Sequence, residues 1–267
     1  MDFEVGPIRV FDAQGGRQFR GYPVNPEDLV QAAAVSTWAW HTRRVLGWEV
    51  FPDALVRYGT GVCNAFANPP FLVFGTGDGK VFGDFTESLD VFVHEVAHRH
   101  VERVTNLMWM DQPGAIGEHL ADVFAACVRR DCVALQRVDG HGVAPVEPHW
   151  RLGSDLFLDG VSCLRDMLAP GTAYDDPRIG RDPQVGHFSA VRRVKEDRGG
   201  VHVFSGVPSR AFALYADDVG DRRALGVWEA AMPAVPKDCS FVRWRDLTVR
   251  AAQGEASLVA AWAAVGL

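Results

Sequence analysis

The five residues from His94 to His98 read His-Glu-Val-Ala-His, and they lie in a run whose apolar residues recur at helical spacing. Residues four apart share one face of a helix, so both imidazoles can reach a single metal ion. Glu95 lies about 100° round the helix from His94, where a carboxylate can take a proton from an attacking water. This segment therefore predicts a helical metal site, and the fold must bring further ligands to it.

A second helical run supplies a candidate third ligand. Glu118 follows His98 after 19 intervening residues, and Asp122 comes four residues later. A zinc site with two histidines needs a third protein ligand and an open position. The residues around the two carboxylates are apolar, so the pair is predicted to be buried and to need partners. We expect Glu118 to bind the metal and Asp122 to accept a hydrogen bond from the free ring N–H of a metal-bound histidine.

The pattern of turns and periodic runs predicts an α+β fold. Residues 1–88 are predicted to form a β-rich N-terminal lobe with a substrate-binding edge strand, and residues 89–267 a mainly helical C-terminal lobe. One N-terminal helix is predicted from Glu27 to about Leu46, with Asn25 as its cap. The other predicted elements are strands at Ile8–Phe11 and Phe71–Phe74, loops at 136–150 and 170–188, and helices at Pro208–Ala216, Trp244–Ala252 and Ala256–Ala264.

Charge and hydropathy exclude two classes of partner. The formal net charge is −7 and no block of five basic residues occurs, which argues against nucleic acid. The longest apolar stretches, Val123–Val128 and Leu258–Val265, are far shorter than the ~20 residues of a membrane span.

The N-terminal residues include acids and no apolar segment, so no signal peptide is visible. The five cysteines include no C-x-x-C pair, so we expect free structural thiols.

Three blocks of this sequence resemble the signature of the thermolysin family of zinc endopeptidases: His94–His98, Gly114–Asp122 and Gly199–Gly206. Asn64-Ala65-Phe66, followed by Gly77-Asp78-Gly79, is similar to the substrate-binding edge strand of that family. The short N-terminal part and Ala173–Pro177 look like the protealysin branch. The resemblance implies a thermolysin-like gluzincin fold, with the zinc site in the cleft between the β-rich lobe and the helical lobe.

The resemblance assigns roles to individual residues. His94, His98 and Glu118 would bind one zinc ion, and Glu95 would be the general base. His202 would bind the oxyanion of the tetrahedral intermediate, oriented by Asp197. Asn64 and the Ala65 carbonyl would hold the substrate backbone, and Arg165 a substrate carbonyl on the primed side. The S1′ pocket positions are all apolar: Phe82, Phe85, Val91 and Leu164.

Some positions depart from the family pattern. Trp109 stands where the family has a tyrosine that contacts the oxyanion, Gly117 replaces an asparagine that supports the second zinc-binding histidine, and Ala67 replaces an aromatic residue on the edge strand. Calcium is not predicted, because the double calcium site is largely missing. Only Asp90 remains there, and Arg129, Arg151 and Ser154 occupy positions of acidic ligands. The two arginines are candidates to replace calcium by ion pairing.

The leading hypothesis is a zinc metalloendopeptidase that cleaves on the amino side of hydrophobic residues, using zinc-activated water and Glu95 as the base. One alternative is a catalytically impaired member that binds zinc and acts by binding. Another is a zinc aminopeptidase, although the gap of 19 residues is one longer than usual and the Gly-x-Met-x-Asn motif is absent. Expected partners are a peptide or protein substrate and a proteinaceous inhibitor or pro-segment. The resemblance implies an extracellular protein, with the cytoplasm as the alternative.

Overall fold

A computed structural model describes residues 8–139 and 150–267 of the chain, and the side chains of residues 8–133 and 150–267. These residues form two compact units. The first comprises the described residues up to Val96, those from 128 to 139, and Gly153–Cys163. The second comprises Ala97–Cys127, Trp150–Leu152 and Leu164–Leu267.

The first unit is built on one five-stranded sheet. Its strands are β1 (Val10–Asp12), β2 (Tyr22–Val24), β3 (Asp53–Tyr58), β4 (Ala65–Asn68) and β5 (Phe71–Gly75), in the order β2-β1-β3-β5-β4. Strand β3 runs parallel to both β1 and β5, and β4 pairs antiparallel with β5 at the edge. Three consecutive residues of β3 and three of β5 are fully buried, as expected of strands covered on both faces.

The N-terminal helix is shorter than its sequence predicts. Helix α1 spans Val30–Leu46, so it begins three residues after the predicted Glu27. Asn25 does not cap it, because residues 25–28 close a turn of their own. The Asp28 N–H donates to the Asn25 carbonyl at 3.1 Å, and the Asn25 amide donates to the Asp28 carboxylate at 3.0 Å. The helix ends at Gly47, whose φ of 69° gives the left-handed cap that favours glycine.

Two long helices carry the predicted metal ligands. Helix α2 spans Leu89–Thr105 and α3 spans Asp111–Asp139, and the boundary between the two units falls inside both. Every residue of α3 from Pro113 to Arg129 is buried, which fits its nearly all-round apolar sequence. Helix α3 also continues four residues into the loop predicted at 136–150, and residues 140–149 lie outside the described residues.

The second unit is mainly helical. Its helices are α4 (Asp197–Phe204), α5 (Gly206–Val219), α6 (Asp221–Ala231), α7 (Phe241–Ala251) and α8 (Ala256–Ala264). The three C-terminal helices predicted from sequence are confirmed as α5, α7 and α8, whereas α6 was not predicted. Buried tryptophans form the centre of this unit, where Trp228 stacks on Trp262 with ring centroids 6.3 Å apart.

Short strands complete the second unit. Strand β6 (Arg151–Leu152) pairs antiparallel with β7 (Arg165–Asp166). Strands β8 (Asp175–Asp176) and β9 (Gly180–Arg181) form a hairpin inside the stretch predicted as a loop at 170–188. The sheet near the N-terminus and the helices toward the C-terminus confirm the predicted α+β class. Over residues 8–139 and 150–267, no helix is long and apolar enough to cross a membrane.

Candidate metal centre

Helices α2 and α3 bring together the three predicted metal ligands. His94 and His98 lie one helical turn apart on α2, and Glu118 projects from α3. Each of the three offers one ligand atom, and these atoms lie within 4.8 Å of one another. Two imidazole nitrogens and one carboxylate oxygen form a donor set that catalytic zinc sites use, so the residues fit zinc. Glu95 lies beside His94 on α2 and is 7% exposed.

The carboxylates of α3 lie in a buried, partly cationic environment. Glu118 Oε1 is 3.8 Å from His98 Nε2, and the Glu118 side chain is 5% exposed. Asp122, one turn further on, is fully buried and accepts a hydrogen bond from Arg165 Nη1 at 3.1 Å. The other terminal nitrogen of Arg165 is 4.0 Å from Glu118 Oε2. Arg165 on β7 therefore compensates two buried carboxylates, which buried charges require.

His202 approaches the same carboxylate from α4. Its Nε2 is 3.4 Å from Glu118 Oε2, and its side chain is 54% exposed. Asp197 fixes the other side of the residue, because its two carboxylate oxygens accept from the His202 backbone N–H at 2.8 Å and from Nδ1 at 2.5 Å. The predicted pair of Asp197 and His202 is thus in contact, and the ring is oriented with Nε2 toward Glu118.

A left-handed backbone segment makes this arrangement of His202 possible. Four consecutive residues from Asp197 to Gly200 have positive φ, with values of 53°, 50°, 92° and 81°. A Cβ on Gly199 would lie 2.2 Å from Asp111 Oδ1, and one on Gly200 would lie 2.5 Å from the Phe204 ring. Both positions therefore require glycine, because a Cβ would collide with the neighbouring side chain and because the positive φ disfavours any other residue. Such strained segments are typical of functional sites.

Sequence reasoning missed one residue that holds His202. The buried Gln184 donates from Nε2 to the His202 carbonyl and to Ser205 Oγ, both at 3.1 Å. Its own backbone N–H donates to the buried Asp182 carboxylate, which also accepts from the N–H groups of Gly171 and Ala173. A single glutamine in a stretch without periodicity gives no signal in one sequence.

The residues proposed to bind substrate lie in different parts of the fold. Asn64 is exposed directly before the edge strand β4, and Ala65 is its buried first residue. Phe82, Phe85 and Val91 are all at least 91% buried in the first unit, and the rings of Phe82 and Phe85 are 5.9 Å apart. Leu164 is half-buried and belongs to the second unit. Trp109 is half-buried, and its ring lies 4.9 Å from that of His98.

The region where the family has its calcium site contains a buried arginine in this chain. Arg129 Nε is 2.5 Å from Asp90 Oδ1, and Arg129 Nη2 contacts the Asp155 carboxylate. The second Asp90 oxygen accepts from the Gly153 backbone N–H at 2.8 Å. The ion pairing suggested by the sequence is thus formed by Arg129, and Asp155 is a partner that the sequence analysis did not name. Arg151 lies on β6 and Ser154 begins a short 3-10 helix.

A buried histidine anchors α3 next to the metal ligand. Burial lowers the pKa of His119 to about 3, so the ring is neutral. The Trp228 indole N–H donates to His119 Nε2 at 2.7 Å, which leaves Nδ1 to donate to Ser209 Oγ at 3.1 Å. Because both ring nitrogens are used, His119 fixes the rotation of α3 and hence the direction of Glu118.

The family models agree with this geometry. The thermolysin metallopeptidase catalytic domain matches residues 46–102, and the thermolysin metallopeptidase alpha-helical domain matches residues 105–267. Together with the helical His-Glu-x-x-His segment and its glutamate, these matches define a metallopeptidase fold and site. The chain belongs to the thermolysin family.

Individual relatives are similar over most of this chain. An extracellular metalloprotease of Pectobacterium carotovorum is 40% identical over 73% of the chain, and protease PrtS of a Photorhabdus species is 35% identical over 80%. The chain spans 53% and 60% of the length of these two proteins. Among solved structures, the precursor of protealysin, a metalloproteinase from Serratia proteamaculans, matches with a TM-score of 0.84 and 31% identity. That match covers 97% of this chain and 87% of the other.

Proposed function

We propose that this chain is a zinc metalloendopeptidase that hydrolyses peptide bonds on the amino side of hydrophobic residues. The observation that carries the proposal is the convergence of His94, His98 and Glu118, whose ligand atoms lie within 4.8 Å of one another. Zinc bound there would polarise the scissile carbonyl and lower the pKa of a water molecule. The remaining chemistry belongs to side chains of this chain.

Glu95 is proposed as the general base. Glu95 is 93% buried and directly follows the ligand His94 on α2, and it is not one of the three clustered donors. It would take a proton from the attacking water and later hand that proton to the leaving amine. A positioned base of this kind typically contributes about 10²–10⁴-fold in rate.

His202 is proposed to stabilise the oxyanion of the tetrahedral intermediate. Asp197 accepts from Nδ1, so Nε2, which lies on the Glu118 side of the ring, would donate toward the substrate when the ring carries both protons. The exposed face of His202 and its fixed backbone fit a preorganised donor, which acts on charge that develops in the transition state. Arg165, with its guanidinium already next to Glu118 and Asp122, is proposed to bind a substrate carbonyl.

The edge strand β4 is proposed to bind the substrate backbone. An edge strand presents unpaired N–H and C=O groups, to which an extended peptide can add as a further strand. Asn64 is exposed directly before it, and its side chain would complete this interaction. The hydrophobic preference rests on the apolar side chains assigned to the S1′ pocket, which are Phe82, Phe85, Val91 and Leu164.

Three further properties are part of the proposal. Calcium is not required, because Arg129 supplies the cation between Asp90 and Asp155. A pro-segment or protein inhibitor is a partner, which is supported by similarity to a protein solved as a precursor. The chain acts outside the cell, which is supported by the Pectobacterium relative, an extracellular metalloprotease.

The test uses internally quenched peptides blocked at both ends, with a central residue varied between leucine, phenylalanine, aspartate and glycine. The zinc-loaded chain should cleave before leucine and phenylalanine, as mapped by mass spectrometry. A zinc chelator should stop cleavage and added zinc should restore it. Absence of cleavage of every blocked peptide would refute the endopeptidase. In that case cleavage of free-amine peptides would indicate an aminopeptidase, and zinc binding without any turnover would indicate a binding protein.

A further inference from the structure

The indole of Trp109 packs directly against the ring of His98. The two ring centroids are 4.9 Å apart and the ring planes meet at 72°, an edge-to-face arrangement that aromatic pairs favour. The His98 side chain is only 12% exposed, so this contact covers one of the few open directions around the imidazole. The indole therefore restricts the orientation of the His98 imidazole ring.

The backbone that carries Trp109 is itself held in place. The N–H of Met108 donates to the carbonyl of Lys237 at 2.9 Å, and the Met110 carbonyl accepts from the Gly114 N–H at 3.0 Å. Gly114 also lies so close that a Cβ there would be 3.0 Å from the carbonyl carbon of Trp109. The tryptophan thus reaches His98 from a fixed point at the start of α3.

Gly117 on α3 leaves the space that the indole occupies. A Cβ at this position would lie 3.6 Å from Trp109 Cζ3 and 3.8 Å from Cη2, which is ordinary van der Waals contact. A methyl group therefore fits, but any longer side chain directed there has to displace the indole. Position 117, one residue before Glu118, therefore accommodates the packed indole when its side chain is no larger than a methyl group.

We propose that Trp109 is a positioning residue that fixes the imidazole of His98, and that Gly117 is its structural complement. Ring packing would then orient His98 toward Glu118, and the indole N–H would not be needed for catalysis. The inference rests on the metal-binding part of the proposed function. It differs from the oxyanion contact that the family resemblance implies for this position, because the contacts in this chain join Trp109 to His98 and Gly117.

The first experiment compares Trp109→Phe with Trp109→Ala. Phenylalanine keeps an aromatic ring and removes the N–H, whereas alanine removes both. The measurements are the zinc dissociation constant, by competition with a chromophoric chelator, the Tm of the metal-free chain, and kcat and KM. We expect Trp109→Ala to raise the zinc Kd about 10–100-fold, as the loss of residues that orient metal ligands does. Trp109→Phe should stay within about threefold of the wild-type Kd.

The alternative role makes the opposite prediction. If the indole N–H served the oxyanion, both substitutions would lower kcat alike and leave the zinc Kd unchanged, and this result would overturn the inference. A further readout is the ring-current shift of the His98 ring protons in the metal-free chain. It should be present in wild type and in Trp109→Phe and lost in Trp109→Ala.

The second experiment tests the complement at position 117. Gly117→Ala should leave the zinc Kd unchanged, because a Cβ fits at 3.6–3.8 Å from the indole. Gly117→Leu should raise the Kd as far as Trp109→Ala does, and the double variant should show little further change, since both substitutions remove the same contact. Additive effects, or an unchanged Kd in Gly117→Leu, would overturn the inference. If Gly117→Leu does not fold, the two substitutions of Trp109 decide alone.

These outcomes separate the inference from the proposed function. A wild-type chain that bound no zinc would defeat the proposed function and the inference with it. A zinc-binding, active wild type whose Kd is the same as that of Trp109→Ala would defeat the inference alone.

Discussion

Replacing Arg129 with methionine should destabilise the chain strongly, because it leaves a buried carboxylate without its cation. The Arg129 and Asp90 side chains are 5% and 2% exposed, and the Asp155 side chain is 30% exposed. Removing one partner of a buried ion pair costs about 3–5 kcal/mol. Since Asp155 can turn to solvent, we expect the loss to be near the lower end, about 3 kcal/mol. For a domain of this size that corresponds to a fall in Tm of roughly 6–12 °C.

The assay is urea unfolding at saturating zinc, with and without added calcium. Arg9→Met is the matched control, because Arg9 forms an ion pair with Asp53 in the same unit but is 78% exposed. Such surface pairs contribute about 0–1 kcal/mol. The double variant Arg129→Met with Asp90→Asn should regain part of the loss, and calcium should not stabilise wild type. If Arg129→Met lowered the free energy of unfolding no more than Arg9→Met does, the reasoning would be refuted. A large stabilisation of the wild type by calcium would refute it as well.

Other substitutions test the site and its supports. Glu118→Ala should lose zinc affinity further than Asp122→Ala, for which we expect about 10–100-fold, and the reverse order in equilibrium dialysis would contradict their assigned roles. Burial lowers the pKa of His119 to about 3. As the pH falls below about 6.5 the unfolded chain therefore takes up a proton that the folded chain does not, and the stability falls. His119→Gln should flatten this loss between pH 6.5 and 4.5 in urea unfolding, and an unchanged slope would exclude His119 as its source. Gln184→Leu should lower kcat by up to about 100-fold with little change in KM, because it removes the hydrogen bond that holds the carbonyl of His202. A rise in KM as large as the fall in kcat would argue against that role.

The sequence was most informative where periodicity and chemistry coincide. The His-Glu-x-x-His segment and Glu118 lie on apolar runs with helical spacing, so both the helices and the meeting of the ligands could be predicted from residues alone. The buried strand β5 was found for a similar reason, because a short continuous apolar run bounded by turn residues indicates a covered strand. These features depend on residues that are close together in the sequence.

Features that depend on distant partners could not be predicted in this way. Arg165 meets Asp122 across 43 residues and Gln184 meets the His202 carbonyl across 18, and neither contact leaves a periodic trace. The sequence does not predict helix α6, because Gly226 and the charged residues at the helix start obscure the apolar face of Ala224, Trp228 and Ala231. The sequence predicts the start of α1 too early because Asn25 can either cap a helix or close a turn, and here it closes a turn with Asp28.

The most direct test of the proposed mechanism compares Glu95→Gln with Glu102→Gln. Both residues are on α2, but Glu95 is 93% buried beside His94, whereas the Glu102 side chain is 46% exposed and pairs with Arg99 at the surface. Zinc content by atomic absorption and turnover of a blocked, quenched peptide are measured on the same preparations. We predict one zinc ion per chain in both variants, wild-type turnover in Glu102→Gln, and a loss of about 10²–10⁴-fold or more in Glu95→Gln. Near-normal turnover by zinc-loaded Glu95→Gln would contradict the assignment of Glu95 as the general base.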